Sequence, residues 1–221
     1  MGDEEYLDLE QVISRVEAHV DSAPQRIRAY YLEDELPPEG YSSLEDSPAQ
    51  MKVNDAADLI QYEFRIQQQR DYILVDGNWA YRRSHYIHLA VASELLLNAF
   101  YLKDNPEEYA ERLEENDTLN LREAKKYLLA EMGSDLNGTQ CKRISLVIDF
   151  IRQKRNNYVH SGFHSRGHQA VSAPIYEVLS FLINMVSEDD LDIISRLEEK
   201  AKQQRRDLVG MEIEKIEFPQ D

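Results

Sequence analysis

The chain is poor in cysteine and lacks long apolar runs. Cys141 is the only cysteine among 221 residues, so the sequence contains neither a disulfide framework nor a thiolate metal cluster. No segment approaches the roughly 18 uncharged apolar residues typical of a transmembrane helix. The first ten residues, MGDEEYLDLE, lack the basic and apolar regions of a secretory signal. These absences predict a cytoplasmic protein without a membrane partner.

Positive charge is also scarce, except in one window. The formal net charge is −17, which argues against an extended nucleic-acid-binding surface because phosphate binding is driven by Lys and Arg. Residues 142–168, however, contain six basic residues and one acidic residue. This window predicts a single site for a phosphate-bearing ligand. The alternative is a solvent-exposed helix surface that happens to be basic and binds no ligand.

Hydrophobic residues recur with helical spacing in nearly every segment, and there are no internal repeats. The octet MEIEKIEF alternates like a strand, but a single strand without a partner does not form a sheet. We therefore predict an all-α fold, a helical bundle with an extra N-terminal helical arm. The predicted helices beyond the Pro-rich segment PPEGYSSLEDSP cover about 48–75, 79–106, two short stretches within 106–132, a helix from about 139, another over 171–186 and a charged final helix. The second of these is apolar on most sides and is expected to be central.

The segment FIRQKRNNYVHSGFHSRGH places an arginine where the helix pattern requires a core residue. At 100° per residue, Ile144, Ile148, Ile151 and Arg155 lie within about 40° of one line along the helix. Burial of an unpaired charge costs several kcal/mol, so Arg155 must reach a cleft or meet an anion. If the helix continues past His160, then His160 lies within about 40° of Asn156. The pattern predicts a groove lined by these residues, with a permanent cation and a proton acceptor.

The motif RNNYVH, residues 155–160, resembles the Arg-Asn-x3-His signature of the HEPN superfamily. The resemblance covers roughly residues 79–186, where HLAVASELLLNAFYL is similar to the buried helix that precedes the motif helix in that family. It implies a HEPN-like bundle over 76–190, and the segments outside the resemblance are expected to form an N-terminal helical extension over 1–75 and a charged helix and tail over 191–221. Many members are metal-independent ribonucleases of toxin–antitoxin, abortive-infection or CRISPR-associated systems. Others are inactive binding modules, which is the alternative function here.

The resemblance also implies roles for individual residues. His160 is the expected general base or acid, Arg155 stabilises the charge of the transition state, and Asn156 orients His160 or binds a phosphate oxygen. The implied product ends are 2′,3′-cyclic phosphates, and no cofactor or metal is required. The implied partners are RNA, a second copy of the chain that completes the groove, and an antitoxin or defence-system protein. Gly162 stands where some antitoxin-regulated members carry a modifiable Tyr, so that form of regulation is not expected.

Further candidate residues surround the motif. Candidates for substrate binding are Arg152, Lys154, Tyr158 and Arg166, although Tyr158 alternatively packs in the bundle and the basic side chains alternatively belong to a solvated face. Glu94 is the only formally charged residue between 84 and 102, and Asn98 lies on the same helix stripe. We expect Glu94 to be a buried carboxylate paired with Arg155 or Arg143, either as a structural salt bridge or as an orienting residue of the site. His160, His164 and His168 resemble a metal-binding ladder, but Gly162 and Gly167 interrupt it, and no metal is predicted.

Overall fold

The computed structural model of the chain describes residues 47–72, 79–115, 117, 119–157, 159, 169–187, 189 and 191–210. Over these residues it contains seven α-helices and no β-strand, which confirms the predicted all-α fold class. The helices are α1 (Pro48–Tyr72), α2 (Trp79–Asp104), α3 (Pro106–Glu114), α4 (Leu121–Glu131), α5 (Gly138–Asn156), α6 (Gln169–Val186) and α7 (Asp192–Gly210), and a short 3-10 turn (Met132–Ser134) follows α4. The predicted helices before residue 47 and the octet MEIEKIEF lie outside the described residues.

Local sequence signals account for several helix boundaries. Helix α3 begins with Pro106, whose fixed φ suits the first helical turn and whose missing N–H is not needed there. Helix α5 begins with a capping box: the Asn137 side chain accepts from the Gln140 backbone N–H at 2.9 Å, and the Gln140 side chain accepts from the Asn137 backbone N–H at 3.0 Å. Helix α5 therefore begins at Gly138, close to the predicted residue 139.

Helix α2 is central, as its apolar pattern predicts. It contacts α1, α3, α4, α5 and α6. Its fully buried residues include both small and large side chains (Ala90, Ala92, Leu96, Leu97, Ala99 and Leu102). The alanines let neighbouring helices approach closely while the leucines fill the space between them, as a densely packed interior requires. The candidate residues Glu94 and Asn98 therefore lie on a helix that five other helices hold in place.

The outer helices α1 and α7 join the same hydrophobic core as α2. Helix α1 contributes Val53, Ile60 and Phe64 to the core, and the Phe64 ring meets the Tyr176 ring of α6 edge-on at 5.5 Å. Helix α7 packs on α6 through a single buried stripe, Ile193, Leu197 and Ala201. The described part of the predicted N-terminal extension is thus packed against the bundle, while the predicted domain boundaries stay predictions. None of the described helices is both long and apolar enough to cross a bilayer.

Candidate functional site

Arg155 lies at the last turn of α5, at the end of the buried stripe. Ile144, Ile148 and Ile151 are buried, whereas the Arg155 side chain is 38% exposed. The stripe therefore turns from core to surface within one helical turn, and the guanidinium remains partly in water. Of the two predicted possibilities, a cleft or an anion, the structure shows the anion, because a carboxylate contacts the guanidinium.

That partner is Glu94 of the central helix. Nη1 of Arg155 lies 3.5 Å from Oε2 of Glu94, which confirms the predicted ion pair. Arg143, the other predicted partner of Glu94, pairs instead with Glu177 of α6. Glu94 is not the buried carboxylate expected from its apolar surroundings, since 31% of its side chain is exposed. At 3.5 Å the contact is at the long limit of a hydrogen bond, so it holds the guanidinium loosely and leaves donors of Arg155 available.

The other basic residues of the last turns of α5 have local partners. Nε of Arg152 lies 3.9 Å from Oδ1 of Asp149, one turn earlier. Nζ of Lys154 lies 5.2 Å from the centre of the Phe150 ring, and burial lowers the pKa of Lys154. Asn156 is exposed. Cations at the carboxyl end of a helix also complement its dipole, and this is the structural alternative to substrate binding for these side chains.

Three of the predicted site residues, Tyr158, His160 and Arg166, lie outside the described residues. The same holds for the remaining histidines of the ladder, His164 and His168, and for the glycines that interrupt it, Gly162 and Gly167. The roles of these residues stay predictions. The described part of the predicted site consists of Arg152, Lys154, Arg155 and Asn156 on α5 together with Glu94 and Asn98 on α2.

A cavity of about 260 Å³ lies beside Glu94. It is lined by the polar residues Glu94 and Asn98 and by the apolar residues Val91, Leu95, Tyr109 and Leu119. The Oδ1 atom of Asn98 is buried and has no hydrogen-bond partner within the described part of the chain. Buried polar atoms are usually hydrogen-bonded, so this amide oxygen is an exception among the described residues. Asn98 and Glu94 are one helical turn apart and therefore face the same side of α2.

A second polar cluster, formed by Glu63, His85 and His88, was not predicted from the sequence. Glu63 on α1 has 0% relative exposure within the hydrophobic core. Nδ1 of His85 donates a hydrogen bond to Oε2 of Glu63 at 3.0 Å, and Nδ1 of His88 donates to Oε1. Both histidines belong to α2, so one carboxylate joins α1 to the central helix through two hydrogen bonds. Among the residues that the structure describes, the buried carboxylate is therefore Glu63, and not Glu94 as expected.

The electrostatics of this cluster favour an ionised carboxylate. Burial by itself raises the pKa of Glu63, but the hydrogen bonds and the positive charge of His85 and His88 outweigh burial and lower the pKa below its ordinary value. A carboxylate that accepts two hydrogen bonds is favoured in its charged form. The cluster thus resembles a buried ion-pair network that holds two helices together.

The position of Glu63 could have been inferred from the sequence. Like Arg155 on α5, Glu63 is a charged residue on an otherwise apolar stripe of its helix, α1. Ala56, Ile60 and Glu63 lie within about 60° of one line along that helix, and the first two belong to the core. A charge on such a line needs a partner. The pair His85 and His88, three residues apart in an apolar helix, supplies it. The pairing of Glu63 with these two histidines is visible only in the folded structure, because the partners are more than 20 residues apart in the sequence.

No set of three or more His, Cys, Asp or Glu side chains able to hold a metal ion occurs among the residues that the structure describes. Comparison of the chain with protein-family models, with curated proteins and with solved structures gives no match in any of the three. The geometry of the described residues and the motif RNNYVH are therefore the observations from which a function can be inferred.

Proposed function

We propose that the chain is a metal-independent endoribonuclease of the HEPN type. The observation that best supports the proposal is the position of Arg155. Its guanidinium lies at the surface end of an otherwise apolar helix stripe, is held by Glu94 at 3.5 Å, and precedes His160 by five residues. An accessible cation, with a histidine five residues further along the chain, supplies the charge and the acid–base group that cleavage of a phosphodiester requires.

The proposed reaction uses the ribose of the substrate as its own nucleophile. His160 removes the proton of the 2′-OH, and the 2′-oxygen attacks the adjacent phosphorus. The bond from phosphorus to the 5′-oxygen breaks, and that oxygen leaves with a proton supplied by an acid. The products are a 2′,3′-cyclic phosphate and a 5′-OH. Arg155 stabilises the additional negative charge on the phosphate oxygens with its forked donors, while Asn156 orients His160 or binds a phosphate oxygen.

The proposal also includes a cellular setting. The resemblance to the HEPN superfamily implies a cytoplasmic ribonuclease of a defence or toxin–antitoxin system, restrained or activated by a partner protein. The charge distribution agrees with a small RNA site, because the basic residues are concentrated over 142–168 in a chain with a net charge of −17. RNA would bind locally at this window instead of along an extended basic surface.

The second candidate is an inactive interaction module with the same fold. It is favoured by the Glu94–Arg155 contact, because an ion pair between a guanidinium and a carboxylate can have a purely structural role. The two candidates differ in one measurable respect. An inactive module binds RNA or protein without changing the number of RNA ends.

Purified chain is expected to cleave RNA in the presence of EDTA, leaving 2′,3′-cyclic phosphate and 5′-OH ends. The pH optimum is expected to follow a histidine, whose unperturbed pKa is about 6.5. End-specific ligation and sequencing of total RNA after incubation measures both the products and the cut positions. A requirement for Mg²⁺, or products with 5′-phosphate ends, contradicts the proposed chemistry. A lack of cleavage across salt and pH supports the interaction module.

A mixture of active and inactive chains is expected to lose more activity than dilution explains, because the proposed groove contains the motif of both protomers. When wild type is refolded with an equal amount of the Arg155→Ala, His160→Ala double variant, random pairing leaves about a quarter of the dimers fully wild type. The expected activity per total protein is therefore about a quarter of that of wild type alone. Retention of about half, or a monomer by light scattering at the assay concentration, contradicts a shared groove.

A further inference from the structure

A groove of about 450 Å³ is open to solvent between α1 and α2. It is lined by Leu59, Tyr62 and Leu95 together with two exposed acids, Asp55 and Asp58. Tyr62 is 52% exposed. Neither acid forms an ion pair with another described residue, and no Lys or Arg is among the residues that line the groove. The groove therefore combines an apolar surface with negative charge that has no counter-charge within the described structure.

The outer face of α5 has the complementary character. Leu146 is 59% exposed, and Lys142 and Phe150 lie one turn before it and one turn after it on the same face of the helix. Lys142 is exposed and forms no ion pair with another described residue. From Lys142 to the end of α5 there are five basic residues and one acid, Asp149, which is paired with Lys125 of α4. This face thus carries an exposed leucine in positively charged surroundings.

We infer that the outer face of α5 in one copy of the chain docks in the α1–α2 groove of a second copy. Leu146 enters the groove beside Tyr62, and Lys142 approaches Asp55 and Asp58. An amphipathic helix that lays its apolar face in a hydrophobic groove is a recurring mode of protein recognition. The contact joins two different surfaces and is therefore heterologous. A pair joined in this way still has one groove and one helix face free, so further copies can add until a ring closes.

The two faces themselves indicate that the occupant is a second copy. Of the large hydrophobic side chains that the structure describes in the seven helices, Tyr62 and Leu146 are the two that are more than half exposed, and the docking covers both. Pairing of groove with groove, or of helix face with helix face, brings like charges together and is disfavoured. RNA fits only the helix face, because Asp55 and Asp58 repel its phosphates. The opposite charges of the two faces favour the heterologous contact.

This contact is independent of the proposed ribonuclease function, and it differs from the shared groove, to which both copies contribute the same motif. Sedimentation velocity of the full-length chain at increasing concentration tests it, at about 0.15 M salt, where exposed charges more than about 8 Å apart are largely screened. The mean mass of wild type is expected to rise beyond that of a dimer, because one partner does not use up both surfaces of a heterologous contact. A mass that levels off at the dimer overturns the inference.

Leu146→Ser and Tyr62→Ser are each expected to weaken this association at least about tenfold, because a few central apolar and aromatic side chains carry most of the binding energy of an interface. Both positions are exposed, so both variants are expected to fold like wild type, which circular dichroism checks. Wild-type association in both variants overturns the inference. Loss of association in Tyr62→Ser alone shows that the groove takes a different part of the chain, and it also overturns the docking of α5.

A charge swap tests whether the two faces meet. Asp58→Lys and Lys142→Glu are each expected to weaken the association about fivefold, because an attraction at the rim becomes a repulsion. A mixture of the two variants is expected to recover it, since each face again meets its opposite charge. Glu199→Lys and Lys202→Glu, at exposed positions of α7, make the same changes of net charge and are expected to associate like wild type.

The charge swap also decides the question should a serine variant fail to fold, because it replaces only exposed charged side chains. Recovery in the mixture supports the docking of α5 in the groove. A mixture that associates no better than either variant alone, or an equal loss in the α7 variants, overturns it.

Discussion

The Arg155→Ala variant is expected to cleave RNA about 10²–10³-fold more slowly than wild type, the loss that follows removal of one preorganised donor to a transition-state oxyanion. Its stability is expected to change little. The Arg155 side chain is 38% exposed, and exposed ion pairs contribute only about 0–1 kcal/mol. Loss of activity at unchanged stability therefore identifies a functional role for Arg155. Initial rates on one labelled RNA, together with urea unfolding, measure the two quantities.

Three further variants show how Arg155 acts. Arg155→Lys keeps the charge but loses the fork of donors, so its rate is expected to lie between those of wild type and Arg155→Ala. His160→Ala is expected to be at least as slow as Arg155→Ala, because it removes the acid–base group. Lys126→Ala is the control, since Lys126 is exposed on α4 and lies outside the basic window 142–168. An Arg155→Ala variant with wild-type rates, or an equal loss in Lys126→Ala, contradicts the assigned role.

The Glu63→Ala variant is expected to lose about 3–5 kcal/mol of unfolding free energy, the usual effect of removing one partner from a buried charged pair. The carboxylate is fully buried and holds both His85 and His88, so its removal leaves two ring N–H groups of α2 without their acceptor and opens a cavity between α1 and α2. Urea unfolding at neutral pH measures the change. Glu199→Ala, at an exposed position of α7, is the control and is expected to stay within about 0.5 kcal/mol of wild type.

The same carboxylate predicts a pH dependence with a definite sign. The pKa of Glu63 is lowered in the folded protein below its ordinary value of 4.5. The unfolded chain therefore binds the proton first, so the contribution of Glu63 to stability is complete above about pH 4.5 and is lost as the pH falls through the lower folded pKa. The stability difference between wild type and Glu63→Gln is expected to shrink with acid below pH 4.5. A difference that stays constant over this range contradicts an ionised Glu63.

Much of the helix pattern could be predicted because its signals are local. Asn137 and Gln140 begin α5 within four residues of chain, and Pro106 begins α3 in the same way. The apolar character of 84–102 on most sides was enough to predict that α2 is central, because a helix without a polar face has to be surrounded. The ion pair of Arg155 with Glu94 was predictable for a related reason, since each is a lone charge on an apolar stripe.

Pairings between distant residues were less accessible from the sequence. The expectation that Glu94 is buried was wrong because the number of helices covering one side of α2 is not encoded in the periodicity of α2. Arg143 had the right charge for Glu94 but lies three turns earlier on α5, where it meets Glu177. Such choices depend on the rotation and offset of packed helices, which a helical period leaves undetermined.

By itself, therefore, the sequence determined the all-α class, the position of the described helices and the presence of a cation at the end of an apolar stripe, since hydrophobic period and capping act within a few residues. Only the tertiary structure decided which carboxylate is buried, that Glu63 joins α1 to His85 and His88, and that Glu94 pairs with Arg155 and lines a cavity together with Asn98. These features depend on distances between side chains of different helices. Close packing sets those distances, and it involves every helix of the core at once.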